Sequence, residues 1–111
     1  MDDQLDEPSD DLTDDLTADV TVVDGHAVVA LAGEIDIATR DLLTTACRDA
    51  VANGAERLVL DMAAVTFMDS SGIAVLIDTR SIAAVTLRTP SDAVRRLLEA
   101  TGLTDTFEFE P

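Results

Sequence analysis

The sequence predicts one α/β domain, with a mainly parallel sheet of four to five strands, an antiparallel first strand and three to four helices. Three observations support this fold class. The chain has 111 residues, which is enough for one hydrophobic core. Its apolar residues are largely aliphatic, since aromatic residues make up only 3% of the chain. Segments of strand and helix character alternate in the order hairpin, helix, strand, helix, strand, helix, which is typical of right-handed crossover connections.

The first predicted element is a β-hairpin. Two valine-rich runs, 20–23 and 26–32, flank the dipeptide Asp24-Gly25. An Asp-Gly pair between apolar runs is typical of a two-residue hairpin turn. The first strand is therefore predicted to be antiparallel to the second.

A helix and a short strand are predicted next. Either Asp36 or Thr39 is available to cap the start of the helix, and Asn53-Gly54 ends its pattern. The run 58–60 then predicts a buried strand that ends at Asp61. The helical spacing is carried by Leu42, Leu43, Ala46, Ala50 and Val51.

The second half of the chain repeats this alternation. Residues 73–80 predict a second helix of barely two turns, and residues 82–87 predict a further strand. Ser91 is the expected N-cap of a third helix, which Gly102 closes. Leu103 and Phe107 are expected to pack within a terminal element.

Acidic residues are concentrated at the N-terminus. Residues 1–19 contain nine Asp and Glu and no cation. Because so few apolar residues accompany them, we predict an acidic disordered tail over 1–18 and a folded domain over 19–111. The tail is either a solvated extension or a decoy that contacts the arginines.

The charge and the rare residue types exclude several functions. The net charge of −16 disfavours nucleic acid and anionic membranes as partners. All seven cations are arginines, which excludes a phosphate-loop or Schiff-base lysine. A single cysteine, Cys47, and a single histidine, His26, exclude an internal disulfide and a Cys/His metal site. We therefore expect a cytoplasmic protein with no cofactor, no metal and no catalytic residue.

Functional loops are expected at the carboxyl ends of the parallel strands. This places Asp36, Asp61, Asp69, Ser70 and Ser71 near one edge of the sheet. A serine at a helix N-terminus has two interpretations. Its hydroxyl either caps the helix or carries a phosphate, which the helix dipole favours by about 0.3–1 kcal/mol. Two adjacent serines leave both roles open.

Several of these segments, in this order, resemble the STAS domain, and more narrowly the stand-alone bacterial anti-sigma factor antagonists. The resemblance runs from about Val20 to Phe107, and the Asp-Ser-Ser-Gly segment at 69–72 is its most specific part. The segments are Gly33-Glu34-Ile35-Asp36, Leu60-Asp61, Phe67-Met68-Asp69-Ser70-Ser71-Gly72, and residues 90–103, which include Pro90-Ser91 and Thr101-Gly102-Leu103.

The resemblance implies a partner-switching mechanism. The unphosphorylated antagonist binds an anti-sigma factor, itself a GHKL-type serine kinase, and so frees a sigma factor for transcription. The kinase phosphorylates the serine after the aspartate, here Ser70, and a PP2C-type phosphatase reverses this. The residues implied to support the phosphosite are Asp36, Asp69, Ser71 and Gly72. Those implied to contact the partner are Glu34, Asp36, Met68, Ser70 and Ile73.

The sequence departs from the family pattern in one place. Seventeen residues separate Gly72 from Pro90, where the family has a longer second helix and a turn. We therefore expect a shortened second helix. The alternative function is a non-switching STAS adaptor, for example a partner of a lipid-transport ABC ATPase.

Overall fold

The computed structural model describes residues 15–111. The predicted disordered tail lies outside these residues, except for its last few positions. The described part contains five strands, three α-helices and a 3-10 helix. Their bounds are β1 Leu16–Val23, β2 His26–Ile35, α1 Arg40–Ala52, β3 Arg57–Met68, α2 Ser70–Arg80, β4 Ala84–Arg88, α3 Asp92–Ala100, the 3-10 helix Thr104–Thr106, and β5 Glu108–Glu110.

The strands form one mixed sheet in the order β1-β2-β3-β4-β5. β1 is antiparallel to β2, and the other neighbouring pairs are parallel. The hairpin closes through Asp24 and Gly25, with φ angles of 53° and 81°. These left-handed values are those of a type I′ turn, which Asp-Gly adopts at low cost. The predicted fold class is thus confirmed.

The helices cover one face of the sheet, and the core lies between the two layers. Alternate residues of the central strands lie in register across this face, for example Val29 beside Leu60 and Leu60 beside Leu87. All three are buried, together with Leu43 of α1 and Leu98 of α3. A fully buried aliphatic side chain of this size contributes about 1.5–3 kcal/mol.

Two boundaries differ from the sequence-based prediction. β1 begins at Leu16, so residues 16–18 belong to the sheet and not to the tail. The reason is that Leu16 is buried in the core and pairs with Gly33. The second helix begins at Ser70 and not at Ile73, because Asp69 caps it, and its 11 residues make about three turns.

β3 is much longer than predicted, so Asp61 does not lie at the carboxyl end of the strand. The strand continues past Asp61 to Met68, and two irregularities in its pairing with β2 absorb two extra β3 residues. Asp61 therefore lies in the middle of the sheet, between Ala30 and Arg88. The expectation that it shares an edge with Ser70 was wrong, since the strand continues for seven more residues after Asp61, at about 3.3 Å each, before it ends at Met68.

The terminal element packs as predicted around Phe107. This residue is buried, and the guanidinium of Arg80 lies 5.6 Å from the centre of its ring. Beyond it, β5 pairs with β4, and an ion pair joins Arg88 to Glu110. Because both side chains are about one-third exposed, this ion pair contributes at most about 1 kcal/mol.

Gly33 is required where β1 meets the end of β2. Its φ of +116° favours glycine, and an added Cβ would overlap the carbonyl oxygen of Asp15. We expect Gly33→Ala to lower the free energy of unfolding by about 2 kcal/mol or more. The matched control is Gly54→Ala, at a φ of +101° with open space around it, which adds only the backbone strain. Equal losses in urea denaturation would contradict the role of the close approach.

Cys47 is expected to make the folded domain less stable at alkaline pH. Burial raises the pKa of its thiol from 9.0 to about 11, against a smaller lowering by a hydrogen bond with Thr79. The chain has no lysine and no tyrosine, so Cys47 is the side chain that titrates in this range. Between about pH 9 and pH 11 the unfolded thiol has lost a proton that the folded one keeps, so stability falls by about 2–3 kcal/mol.

The measurement is urea denaturation at a series of pH values. Cys47→Ala is expected to be less stable at neutral pH, because it removes a buried group, but to show a flat profile above pH 9. An equally steep alkaline loss in this variant would contradict the assignment to Cys47.

Candidate functional site

Two loops meet at the carboxyl edge of β2 and β3. The last residues of these strands, Ile35 and Met68, are partners in the sheet. The backbone N–H of Asp69 donates a 3.1 Å hydrogen bond to the carbonyl of Ile35. Asp36 and Asp69 are the next residues along the two strands. The structure thus brings together the Gly-Glu-Ile-Asp and Asp-Ser-Ser-Gly segments, as the sequence predicted.

Asp69, and neither serine, caps α2. Its backbone is extended, and its carboxylate accepts a 2.8 Å hydrogen bond from the N–H of Ser71. Ser70 is the first residue of the helix and is exposed, while Ser71 is half-buried. No hydrogen bond joins the Ser70 hydroxyl to another residue in 15–111. Asp69 is therefore the N-cap of α2, and the Ser70 hydroxyl remains accessible at the helix N-terminus.

The neighbouring loop is held by Asp36 and Thr39. The Asp36 carboxylate accepts hydrogen bonds from the N–H groups of Ala38 and Thr39, at 3.0 and 3.1 Å. The Thr39 hydroxyl donates to the carbonyl of Glu34 at 2.8 Å and accepts from the N–H of Asp36 at 2.9 Å. This network fixes the turn that leads into α1. In this structure the Asp36 carboxylate serves the loop and makes no hydrogen bond with Ser70.

Gly72 allows the end of β3 to pack beneath the start of α2. An added Cβ would lie 2.6 Å from Cγ of Met68 and 2.8 Å from Cγ2 of Ile35. Met68 and Ile73 belong to the buried core at this point. Both had been expected to contact a partner, but their side chains face the interior. Their place in the structure is to support the loop from below.

Two exposed apolar residues next to the site were missed. Ile37 follows Asp36 and is 70% exposed, and Phe67 precedes Met68 and is 46% exposed. Phe67 is paired with Glu34 on the face of the sheet opposite the core. A signal for Ile37 was available in the sequence, since an isoleucine in a turn between Asp36 and the first helix fits neither apolar pattern. Phe67 was hidden because β3 was predicted to end at Asp61.

The loops around Ser70 are acidic. Asp69 precedes Ser70 directly, and Glu34 and Asp36 lie at the adjacent end of β2, while Arg40 enters only with the first turn of α1. Within residues 15–111, no cluster of three or more His, Cys, Asp or Glu side chains is arranged to hold a metal ion. The site therefore offers an accessible hydroxyl, a helix N-terminus and negative charge.

The fold and this site match known proteins. Residues 17–111 match the model of the STAS domain. The chain also resembles the crystal structure of an anti-sigma factor antagonist from Mycobacterium paratuberculosis, with 34% identity and a TM-score of 0.78, over 88% of this chain and 87% of that one. The chain therefore belongs to the STAS domain family, in the group of anti-sigma factor antagonists. These antagonists are regulatory proteins and not enzymes.

Two further relatives are similar over different lengths. The anti-sigma-F factor antagonist RsfB of Mycobacterium tuberculosis (strain ATCC 25618 / H37Rv) is 41% identical over 61 residues, which are 53% of this chain and 50% of RsfB. The match thus spans about half the length of this curated relative. The antagonist SpoIIAA in its unphosphorylated form shares the fold, at 22% identity and a TM-score of 0.69, over 84% of this chain and 87% of that one.

No helix in residues 15–111 is both long enough and apolar enough to cross a membrane. The longest helix, α1, has 13 residues and includes four charged ones.

The cap of α2 can be tested apart from the charge of Asp69. Asp69→Asn keeps an oxygen that accepts from the N–H of Ser71, whereas Asp69→Ala removes it. We expect the alanine variant to lose about 1 kcal/mol of the free energy of unfolding and the asparagine variant to lose much less. Thermal and urea denaturation measure both. Equal losses would show that the carboxylate acts through its charge and not as a cap.

Proposed function

We propose that this protein binds an anti-sigma factor and that phosphorylation of Ser70 ends the binding. The observation that carries the proposal is the state of Ser70, which is exposed at the N-terminus of α2 while Asp69 supplies the cap. A kinase can thus reach the hydroxyl without first breaking a hydrogen bond that the helix needs. The relatives support the choice of partner, since those similar to this chain include antagonists of anti-sigma factors.

Exposed residues around Ser70 supply a surface for the partner. Glu34 and Asp36 contribute negative charge, and Ile37 and Phe67 contribute exposed apolar area. Buried apolar side chains provide most of the energy at the centre of an interface, and charges at the rim guide association. We propose that Ile37 and Phe67 are the apolar contacts of the partner, in place of Met68 and Ile73, which the family resemblance had implied.

The electrostatics favour release after phosphorylation. A phosphate on Ser70 adds a charge of about −1.5 to −2 beside Asp69. The helix dipole returns about 1 kcal/mol at most. Placing the phosphate in a desolvated interface that already contains acidic groups costs several kcal/mol. A net loss of about 2.7 kcal/mol lowers the affinity about a hundredfold. Release therefore requires no large change of fold.

The proposed cycle needs two further proteins. The anti-sigma factor is expected to be a GHKL-type serine kinase that transfers the γ-phosphoryl group of ATP to the Ser70 oxygen and releases ADP. A PP2C-type phosphatase is expected to hydrolyse the phosphoserine when a stress signal arrives. Through Ser70, both enzymes control sigma-factor-dependent transcription. Because transcription takes place in the bacterial cytoplasm, we propose that this protein is cytoplasmic.

The proposal is tested by incubating the full chain with ATP and each candidate anti-sigma kinase from the same genome, followed by intact-mass spectrometry. We expect a gain of one phosphate, lost in Ser70→Ala and retained in the matched control Ser81→Ala, which is exposed at the other end of α2. Phosphate on both variants would place the modification elsewhere.

Binding of the same kinase by calorimetry separates the switch from a permanent adaptor. Ser70→Ala is expected to bind like the wild type, and Ser70→Asp about tenfold or more weakly, because it adds part of the charge of a phosphate. Equal binding by both variants would overturn the switch and favour a non-switching STAS module.

A further inference from the structure

A groove runs along the free edge of the sheet, between β1 and α1. Its volume is about 750 Å³. β1 is the first strand in the sheet and has a neighbour only on the β2 side among the described residues. Its lining includes Ala18, Val20 and Val22 from β1 and Asp41, Leu42 and Asp49 from α1.

The walls of the groove expose aliphatic side chains to solvent. Val20 and Val22, which lie on the core side of β1, are 40% and 36% exposed. Leu42 of α1, across the groove, is 38% exposed. The one charged residue of β1, Asp19, alternates with Val20 and so lies on the opposite face of the sheet. The groove side of this edge strand therefore has no charge or proline to protect it against pairing with another strand. The sheet and the helix thus leave an apolar strip only partly covered.

The backbone of β1 is also available on this edge. The two-residue turn makes Val23 and His26 a hydrogen-bonded pair, so every second residue of β1 bonds to β2. The N–H and C=O groups of Ala18, Val20 and Val22 therefore point outward. No hydrogen bond joins them to another residue in 15–111 outside the sheet. An added strand can bond to the same residues whose side chains line the groove.

The negative charge of the groove favours a basic binding partner over an acidic one. Asp41 and Asp49 line it, and no described arginine does. A second copy of this chain, with a net charge of −16, brings mostly like charge to these carboxylates. The chain's own residues 1–14 contain seven Asp and Glu and no cation, so charge disfavours them as well. The complementary occupant is an extended segment with aliphatic and basic side chains.

We propose that the β1–α1 groove binds an extended segment of a partner protein, which adds to β1 as a sixth strand. The segment places aliphatic side chains on Val20, Val22 and Leu42 and a basic side chain against Asp49. Such strand addition takes affinity from backbone hydrogen bonds and specificity from alternate side chains. The groove extends toward Asn53, at the end of α1 away from the Ser70 loops. The proposal does not depend on the role of Ser70, and both surfaces can be occupied at once.

The test uses the full chain labelled with ¹⁵N and two blocked nine-residue peptides, TVTRTVTRT and TVTETVTET. In each, valine and the charged residue alternate on one side of the strand. We expect the arginine peptide to shift the amide signals of Ala18, Val20 and Val22 in a saturable way. We expect the glutamate peptide to bind about tenfold or more weakly. Equal binding, shifts centred elsewhere, or no saturable shift at millimolar arginine peptide would overturn the proposal.

Variants identify the groove and separate it from the phosphosite. Asp49→Arg is expected to weaken the arginine peptide about tenfold, while Asp105→Arg, the same charge change on the exposed 3-10 helix, is expected to weaken it far less. Ser70→Asp is expected to leave peptide binding unchanged. Failure of the groove proposal can therefore be distinguished from failure of the phosphorylation proposal. In sedimentation, a wild-type dimer that Val20→Arg disrupts would show that a second copy fills the groove, which also overturns the proposal.

Discussion

The parallel pairing of β2 with β3 is the constraint on which the site depends. Ile35 and Met68 must end their strands side by side for Asp36 and Asp69 to begin adjacent loops. β3 has two more residues than β2 between Asp61 and the strand end, and the two irregularities in the pairing absorb them. Such bulges bend a strand and redirect its side chains. The position of Ser70 is therefore determined by the pairing of β2 with β3, several residues before the helix begins.

Local sequence signals predicted much of this fold, because those signals act over a few residues. Asp24-Gly25 specifies a hairpin on its own, and Ser91 accepts a hydrogen bond from the N–H of Val94 as an N-cap should. The Asp-Ser-Ser-Gly segment located the candidate loop. The length of β3 was not predictable in this way, since Ala63 and Ala64 have low strand propensity and β3 is paired only with β2 beyond Asp61, for example Ala64 with Ala32.

The division between buried and exposed side chains at the site was also beyond the sequence. Met68 and Ile73 lie beside Ser70 along the chain, and only the three-dimensional packing with Gly72 and Ile35 shows that they face inward. Ile37 is equally apolar but sits in a turn whose direction is set by Asp36 and Thr39. Apolar character alone does not distinguish a side chain that supports a loop from one that a partner can reach.

The assignment of the α2 cap to Asp69 has a consequence for protein turnover. Because Ser70 takes no part in the cap, chemical change of its hydroxyl leaves the hydrogen bond at the start of α2 intact. A negative group at that position also interacts favourably with the helix dipole. The phosphorylated chain is then expected to unfold no more often than the unmodified one and to be at least as resistant to cellular proteases. A regulator built in this way changes its binding state while the total amount of the protein stays constant.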